Sequence, residues 1–469
     1  MAAGQQQGGI WEPGQRALTA GLLLTISIAA FEALAVATIL PVTARDLGGL
    51  AWYGWVFSAF MLSSLVSITM AGSAADRHGP ARPFSVGGAL FVAGLLVAGF
   101  APSMPIVVLG RVVQGLGAGA LSSVAYVAVT RGYRAEVRPR MLAMFSSAWV
   151  LPGLVGPALA GAIAETLGWR WVFLALAPVT AIAVALAMPS LKRFGAAAHA
   201  EATSGDTGTA FALAIGTGLV LLGIEDNSAW RMAALVAAGL ALAGPALVRL
   251  LPEGTLRVQR GAPAALVTMA LLSFSFFGAE AFLPLALTGV GGEAVTMAGI
   301  ALTVGALTWT AGAWIQARLS SRVTRRALAT TGLTLTLVGV TGTASLSLSG
   351  APALTAALSW GVVGLGIGLA YSTLTLVVLE TAAAGREGSA SAALQLANVL
   401  GVALGTGLGG AALSMALRAG QSQADGLRIA DAMMIVAAAL GLAAARRLPA
   451  SSRPDELPAA RAGAAVQTE

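Results

Sequence analysis

The sequence predicts an all-α polytopic membrane protein with about fourteen transmembrane helices. Hydrophobic residues make up 57% of the 469 residues and charged residues only 10%, with a mean hydropathy of +0.83, which lies far from the soluble average. Apolar stretches of about 20 residues, each long enough to cross a bilayer as a helix, recur from residue 17 almost to the end. These stretches are continuous and rich in Ala, Leu and Gly, without the alternation typical of a membrane β-barrel.

The apolar stretches place the helices in order along the chain. The first eight are predicted at about 17–41, 51–74, 83–101, 105–130, 140–167, 171–190, 209–226 and 231–250. The other six are predicted at about 263–288, 294–318, 326–349, 352–381, 388–417 and 427–448. The seventh and eighth are the least marked, because several glycines and the polar turn at Glu225–Asn227 leave them short.

Polar segments divide this helical pattern into two sets of six helices with a pair between them, which indicates an internal repeat. The predicted organisation is an N-terminal segment 1–16, a first bundle 17–190, a linker 191–208, two inserted helices 209–250, a second bundle 251–448 and a tail 449–469. The linker and the tail are mixtures of Ala, Gly, Ser and charged residues that we expect to be flexible.

The distribution of basic residues predicts the orientation of the chain. Most of its 27 Lys and Arg residues fall on one side if the N-terminus is cytoplasmic, which matches the positive-inside rule. Both termini are therefore expected in the cytoplasm, with the helices in the plasma (inner) membrane of a bacterium. The net charge of +7 then reflects topology, and no nucleic-acid partner is expected.

One carboxyl in the first predicted helix is the strongest functional signal. Glu32 has no charged neighbour between Arg16 and Arg45. An ionisable group inside the bilayer costs a few kcal/mol and usually marks an ion or substrate path, so Glu32 is predicted to carry a proton. Phe31 beside it is a candidate for the substrate cavity.

The fourth helix supplies a candidate partner for that carboxyl. Arg111 and Gln114 are three residues apart, so they share a helix face on which a guanidinium can bond a carboxylate or an anion. An alternative is that Arg111 only extends toward the membrane surface.

The loop after the second helix contains a compact charged motif. Gly72 and Gly79 permit close packing and a sharp turn, while Asp76 can accept hydrogen bonds and pair with an arginine. Arg77 and Arg82 complete the motif, although both also fit the alternative role of simple positive-inside anchors.

The fifth helix combines a proline with small residues. Pro157 interrupts the backbone hydrogen bonding, and Gly153, Gly156 and Gly161 let a neighbouring helix come close, which favours a seal between moving helices. A purely structural kink is the alternative.

The loop and the fourth helix carry a resemblance to a known family. The segment Gly72–Arg82 resembles the major facilitator superfamily loop G-x-x-x-D-R-x-G, although Pro80 and Ala81 stand where basic residues are common. Arg111-x-x-Gln114-Gly115 is similar to the fourth-helix signature of the same superfamily.

Two further segments resemble a subfamily, the fourteen-helix drug:proton antiporters. Gly156–Gly161 is similar to the antiporter motif G-P-x-x-G-G, with Ala160 replacing one glycine. Glu32 stands nine residues before Pro41, as the acidic residue of the first helix does in that subfamily, where Asp is usual and where Ala37 is usually a polar Asn.

The resemblance implies a major facilitator fold, with two six-helix bundles and two inserted helices, and a proton-coupled exporter working by alternating access. Asp76 would then hold the cytoplasmic side of the outward-open state through Arg131 or Arg134. The proton gradient would supply the energy, so no cofactor is expected.

The second bundle offers further candidates for the substrate cavity. Glu280 stands alone in the ninth helix, where hydrogen bonding between helices is its alternative role. Additional polar or aromatic candidates for the cavity are Gln114, Trp149, Tyr371, Gln395 and Asn398. With the carboxyls of Glu32 and Glu280 against one buried arginine, the expected substrate is a small lipophilic compound, cationic or neutral.

Other classes of function find little support. The sequence has no Cys, and its two His residues, His78 and His199, fall in predicted loops, so no metal site is expected. No P-loop, H-E-x-x-H or G-x-S-x-G motif is present, and the G-x-G-x-x-G at Gly405–Gly410 lies inside an apolar helix without a preceding strand, so an enzyme is not indicated.

The expected partners are the lipid bilayer, protons and the substrate, and the chain is expected to act as a monomer. Two alternatives remain open at this point: a lipid or lipophile transporter of the same fold, and a membrane sensor or scaffold that transports nothing.

Overall fold

The computed structural model describes residues 11–12, 15–134, 137–194, 207–349, 352–382 and 387–450. Within these ranges the regular structure is entirely helical, and thirteen helices are long and apolar enough to cross a membrane. The described residues also include a shorter apolar helix, Val150–Thr166. The predicted fold class is therefore confirmed, whereas most of the predicted linker and tail lies outside the described residues.

The first seven helices pack together as one body, which we call the amino bundle. They are α1 (Arg16–Leu47), α2 (Tyr53–His78), α3 (Ala81–Gly99), α4 (Met104–Gly132), α5 (Arg138–Ser147), α6 (Val150–Thr166) and α7 (Arg170–Leu191). Helix α4 packs on α2 and α3, and α1 packs on α6 and α7.

The predicted continuous helix at 140–167 is wrong, because the chain breaks into α5 and α6 at Ala148–Trp149. The physical reason is Pro152, whose ring clashes with the carbonyl four residues earlier and whose nitrogen has no proton to donate to it. That carbonyl belongs to Ala148, and it accepts a hydrogen bond from Ser27 Oγ on α1 at 3.1 Å instead. The carbonyl left free at the break is thus hydrogen-bonded by a neighbouring helix.

The last six helices form a second body, the carboxy bundle. They are α10 (Ala262–Leu285, extended by one π-helical turn at Ala286–Val290), α11 (Val295–Leu319), α12 (Arg325–Ser349), α13 (Ala353–Glu380), α14 (Glu387–Arg418) and α15 (Gln423–Ala445). Between the bundles, α8 (Thr207–Glu225) and α9 (Ala229–Leu250) form a hairpin. Helix α8 packs on both α2 and α14, while α9 packs mainly on α8.

The two ends of the molecule differ in charge. The turn from α2 to α3 and the ends of α4, α11 and α15 carry arginines, and we call this the basic end. The other end carries the turns from α1 to α2, α6 to α7 and α8 to α9, and we call it the opposite end.

The bundles meet most closely near the opposite end. A Cβ placed on Gly54 of α2 would lie only 2.6 Å from the Cα of Gly410 of α14, so the two backbones touch. Tyr53 Oη donates to the Ala281 carbonyl of α10 at 3.0 Å. Helices α6 of the amino bundle and α11 of the carboxy bundle also pack on each other, which forms a second line of contact between the bundles. The structure is therefore closed at the opposite end.

Candidate functional site

Glu32 lies in a buried polar cluster built by three helices of the amino bundle. The guanidinium of Arg111 on α4 forms an ion pair with Glu32 Oε1 on α1, and the two residues are only 2% and 1% exposed. Gln114, one turn further along α4, accepts from Arg111 Nη1 at 3.1 Å and lies 3.5 Å from Glu32 Oε1 through its Nε2. The structure thus brings together three residues that the sequence singled out separately.

Helix α2 completes the surroundings of the guanidinium. Arg111 Nε donates to the Val56 carbonyl at 3.0 Å, and its guanidinium carbon lies 4.1 Å above the Phe60 ring. Sequence reasoning missed both contacts, because a backbone acceptor and a phenyl face leave no charge pattern. Arg111 therefore keeps several partners besides the carboxylate.

The second carboxylate oxygen of Glu32 is buried and has no hydrogen-bond partner among the described residues. A buried charged group without full hydrogen bonding is costly, and the ion pair with Arg111 offsets only part of that cost. A side chain that served only to join helices would be expected to bond both oxygens.

The small residues of α6 lie where the two bundles touch. A Cβ on Gly161 would lie 2.9 Å from Thr296 Cα of α11, and one on Gly153 would lie 3.2 Å from Ala306 Cβ. The carbonyl of Pro157 contacts Gly299 of the same helix. These residues form the contact surface for α11 at the opposite end.

Phe31 of α1 packs against α6. A Cβ on Gly156 would lie 3.3 Å from a ring carbon of Phe31, which is half-buried. Since Phe31 precedes Glu32 in the sequence, α1 meets α6 next to the Glu32 cluster.

The charged motif lies at the basic end, but on helices and not in the predicted loop. Because α2 continues to His78, Gly72, Asp76 and Arg77 lie in its last turns, and Arg82 lies in the first turn of α3. Asp76 Oδ1 accepts from Arg131 Nη2 of α4 at 2.7 Å, and Arg131 Nη1 also lies 3.3 Å from the Ala75 carbonyl. Gly72 packs near Ser123 of α4, and Gly79 ends α2 at a φ of +82°, where glycine has no steric penalty. Arg77 and Arg82 are exposed.

The carboxy bundle has a related contact at the same end. Arg325, at the start of α12, pairs with Glu380 at the end of α13 at 2.8 Å. In each bundle an ion pair therefore ties together the ends of two helices, α2 and α4 in the amino bundle and α12 and α13 in the carboxy bundle.

Glu280 lies on α10 next to a group of aromatic residues in contact with one another. We call this group the aromatic cluster; its members are Phe276, Phe277, Trp309, Trp360 and Tyr371. Phe276 is central, with its ring centre 5.0–5.1 Å from those of Phe277, Trp309 and Trp360. Trp309 also lies 5.8 Å from Tyr371.

Helical spacing places Glu280 beside this cluster. It stands three residues after Phe277 and four after Phe276, so all three share a face of α10. Ala306 of α11 faces α6, and Trp309 stands three residues later on the same side of the helix. The aromatic cluster therefore borders the amino bundle. Glu280 is half-buried and makes no ion pair or hydrogen bond in the described part of the chain. Sequence reasoning missed Trp309, which looked like one more apolar residue.

The remaining cavity candidates divide. Asn398 on α14 accepts from Ser273 Oγ on α10 at 2.8 Å, so it joins two helices of the same bundle. Gln395 is exposed on α14, and Trp149 is 49% exposed at the break before α6. The structure leaves these three outside both the Glu32 cluster and the aromatic cluster.

No group of three or more Asp, Glu or His side chains in the described ranges could hold a metal ion. The arrangement is instead that of a carrier: two helical bundles closed together at one end, with a buried ion pair in one bundle and an unpaired carboxyl beside aromatic rings in the other.

Comparison with known proteins identifies the family. The model of the Major Facilitator Superfamily matches residues 22–406, and the chain belongs to this superfamily. It is a transporter, not an enzyme.

Similar proteins include named efflux transporters. A probable multidrug-efflux transporter of Mycobacterium tuberculosis is 28% identical over 449 residues, covering 88% of this chain and 91% of that protein. The multidrug transporter protein MdtP of Bacillus subtilis is 25% identical over 412 residues, covering 85% and 75% of the two chains.

Solved structures share the fold. A bacterial homologue of the human lysosomal transporter Spinster, inward-facing and unoccupied, superposes with a TM-score of 0.66 at 15% identity, covering 93% of this chain and 98% of that one. A D-xylose–proton symporter superposes with a TM-score of 0.62 at 12% identity, covering 96% and 100%.

Proposed function

We propose that this protein is a proton-coupled antiporter that exports lipophilic compounds, cationic or neutral amphiphiles, across a bacterial plasma membrane. The observation that carries the proposal is the buried ion pair of Glu32 with Arg111, which leaves one carboxylate oxygen without a partner. Energy comes from the proton gradient, and no cofactor takes part.

The contacts around Arg111 support reversible protonation of Glu32. A proton on Glu32 removes its charge and weakens the ion pair, but the guanidinium still has the Val56 carbonyl, Gln114 Oε1 and the Phe60 ring. The cost of releasing the carboxyl is therefore smaller than it would be for an arginine left with no partner. Proton loading can then be coupled to movement of α1 against α4.

The positive-inside rule makes the basic end cytoplasmic and both termini cytoplasmic. In this proposal the conformation closed at the opposite end belongs to the inward-facing half of the cycle, in which substrate enters from the cytoplasm or the inner leaflet. Closure of the basic end and separation of α6 from α11 would give the outward-facing state.

The aromatic cluster and Glu280 support the proposed substrate class. A hydrophobic cation can place its apolar part on the rings and its charge against the carboxylate, whereas a polyanion finds no buried basic group there. The efflux relatives carry multidrug names, which agrees with a substrate bound mainly by apolar and aromatic side chains.

The test is transport by the purified protein in liposomes with an imposed pH gradient, using a panel of hydrophobic cations, neutral amphiphiles and fluorescent lipids. Gradient-driven uptake of cations into inside-out vesicles, with proton movement in the opposite direction, is the expected result. Movement of lipid alone would favour the lipid transporter, and an absence of any flux would favour a sensor or scaffold.

A further inference from the structure

The inserted hairpin occupies a specific place on the molecule. Its first helix, α8, lies along the seam where α2 of the amino bundle meets α14 of the carboxy bundle. Leu213 of α8 packs with Leu65 of α2 and with Leu396 of α14 in one buried cluster. Ala214 joins a second cluster with Leu62 and Ala403. One helix therefore contacts both moving bodies over several turns.

The contact continues toward the opposite end. A Cβ on Gly407 of α14 would lie 2.8 Å from Leu221 Cδ2 of α8 and 3.0 Å from Ser58 Oγ of α2. Ser58 Oγ itself lies 3.0 Å from the Ala403 carbonyl. Three helices thus meet at this point with no space between them.

Glu225, the last residue of α8, joins the two bundles by hydrogen bonds. Its carboxylate accepts from Trp55 Nε1 of α2 at 3.0 Å, and its backbone carbonyl accepts from the guanidinium of Arg418 on α14. The following turn is held separately, by Asp226 with Ser228 and Arg231. Glu225 therefore bridges the seam by hydrogen bonds, in addition to the apolar contacts that α8 makes along it.

We propose that Glu225 and Trp55 form a latch by which the inserted hairpin stabilises the conformation that is closed at the opposite end. The proposal rests on the alternating-access cycle proposed above, in which the opposite ends of α2 and α14 must separate. The ends of α2 and α14 cannot separate at Gly54 and Gly410 while α8 stays hydrogen-bonded to both helices. Glu225 therefore has to release Trp55 or Arg418 in each cycle. The Arg418 bond uses a backbone carbonyl that any residue supplies, whereas the Trp55 bond depends on the Glu225 side chain.

The test measures the distance between spin labels at the opposite end. The chain has no Cys, so Trp52→Cys beside α2 and Gln421→Cys after α14, both exposed, give a single labelled pair in the full-length protein in lipid nanodiscs. Trp55→Phe keeps the ring and removes the donor, and Glu225→Leu removes the acceptor. Trp230→Phe, on a 73% exposed side chain of α9, is the matched control.

We expect Trp55→Phe to raise the ratio of the long-distance to the short-distance population roughly two- to tenfold, the effect of one hydrogen bond, with no change in Trp230→Phe. Glu225→Leu should give a similar rise, and the double variant no more than either single one, since both remove the same bond. Elution volume and thermal unfolding show that each variant is folded.

Distances that stay as in the parent protein in both single variants would overturn the latch, and so would shifts that simply add in the double variant. If the two spin labels show only the short distance in every variant, both the latch and the proposed opening of the opposite end are overturned. The measurement needs no substrate or gradient, so loss of the latch would leave the proposed export activity standing, and absence of export would leave the latch measurable.

Discussion

Arg111 on α4 and Glu32 on α1 form a buried ion pair although 79 residues separate them in the sequence. Each residue alone would be an isolated charge in hydrocarbon, and together they hold α1, α2 and α4 at one point. The pair therefore has both a structural and a functional consequence, and the two can be separated by substitution.

Glu32→Gln is expected to reduce gradient-driven transport to background, because Gln keeps the size and hydrogen bonding of Glu but cannot carry the proton. Transport into vesicles with and without a pH gradient measures the effect. Flux that responds to the gradient as in the parent protein would remove Glu32 from the coupling mechanism.

The same substitution leaves Arg111 without its anion, and its contacts with Val56, Gln114 and Phe60 keep the cost below the roughly 3–5 kcal/mol typical of a broken buried pair. We expect Glu32→Gln/Arg111→Gln to unfold at a higher temperature than Glu32→Gln, and still to show no coupling. Thermal unfolding in detergent checks the first point. A double variant less stable than the single one would mean that Arg111 is held mainly by Val56, Gln114 and Phe60.

Asp76→Asn is expected to lower the maximal rate with little change in substrate affinity. Asp76 bonds Arg131 at the basic end, where the pair is partly exposed and contributes only about 0–1 kcal/mol to stability. Arg77→Gln, at an exposed position in the last turn of the same helix, is the control. A large loss of affinity at a normal maximal rate would contradict a role in conformational change.

The sequence was sufficient for the fold because a bilayer imposes its thickness on every crossing. Apolar length predicts each helix directly, and among the described residues the clearest departures from the predicted pattern are the break at Ala148–Trp149 and the continuation of α2 to His78. The break at Ala148–Trp149 depends on Pro152, which leaves the Ala148 carbonyl free. Ser27 of another helix donates a hydrogen bond to that carbonyl. A contact between distant residues of this kind has no local signal.

The candidate site was predictable in part for the same reason. Charges in hydrocarbon are rare, so Glu32, Arg111 and Glu280 stood out from the sequence. Trp309 and Phe60 did not, because an aromatic residue in an apolar helix looks the same whether it faces lipid, core or cavity. Glu225 stood at a predicted turn, and the sequence held no sign of the hydrogen bond to Trp55 on which the proposed latch depends.

Gly161→Val is expected to shift the protein away from the conformation closed at the opposite end. Its Cβ would lie 2.9 Å from Thr296 Cα of α11, a backbone atom that cannot move aside without parting the helices. Glu165 strengthens this seam by accepting from Thr296 N and Oγ1 at 2.9 and 2.8 Å. Ala162→Val, on the exposed face of the same helix, is the control, and reactivity of an introduced Ala281→Cys toward an external, membrane-impermeant maleimide measures the opening. Equal reactivity in both variants would show that the seam yields without opening.

Glu280→Gln is expected to weaken the binding of hydrophobic cations about tenfold, equivalent to about 1.4 kcal/mol, and to leave neutral amphiphiles nearly unchanged. The carboxylate lies beside Phe276 and Phe277 on one face of α10, and in the described residues it has no ion pair of its own, so its charge is available to a ligand. Trp309→Leu should instead weaken both classes, because both use the ring surface. Competition against a fluorescent cation bound to the purified protein measures both effects, with Gln395→Ala on the exposed face of α14 as the control. If Glu280→Gln weakens cations and neutral compounds equally, Glu280 supports the fold of α10 instead of recognising charge, and the preference for cations must arise elsewhere in the cavity.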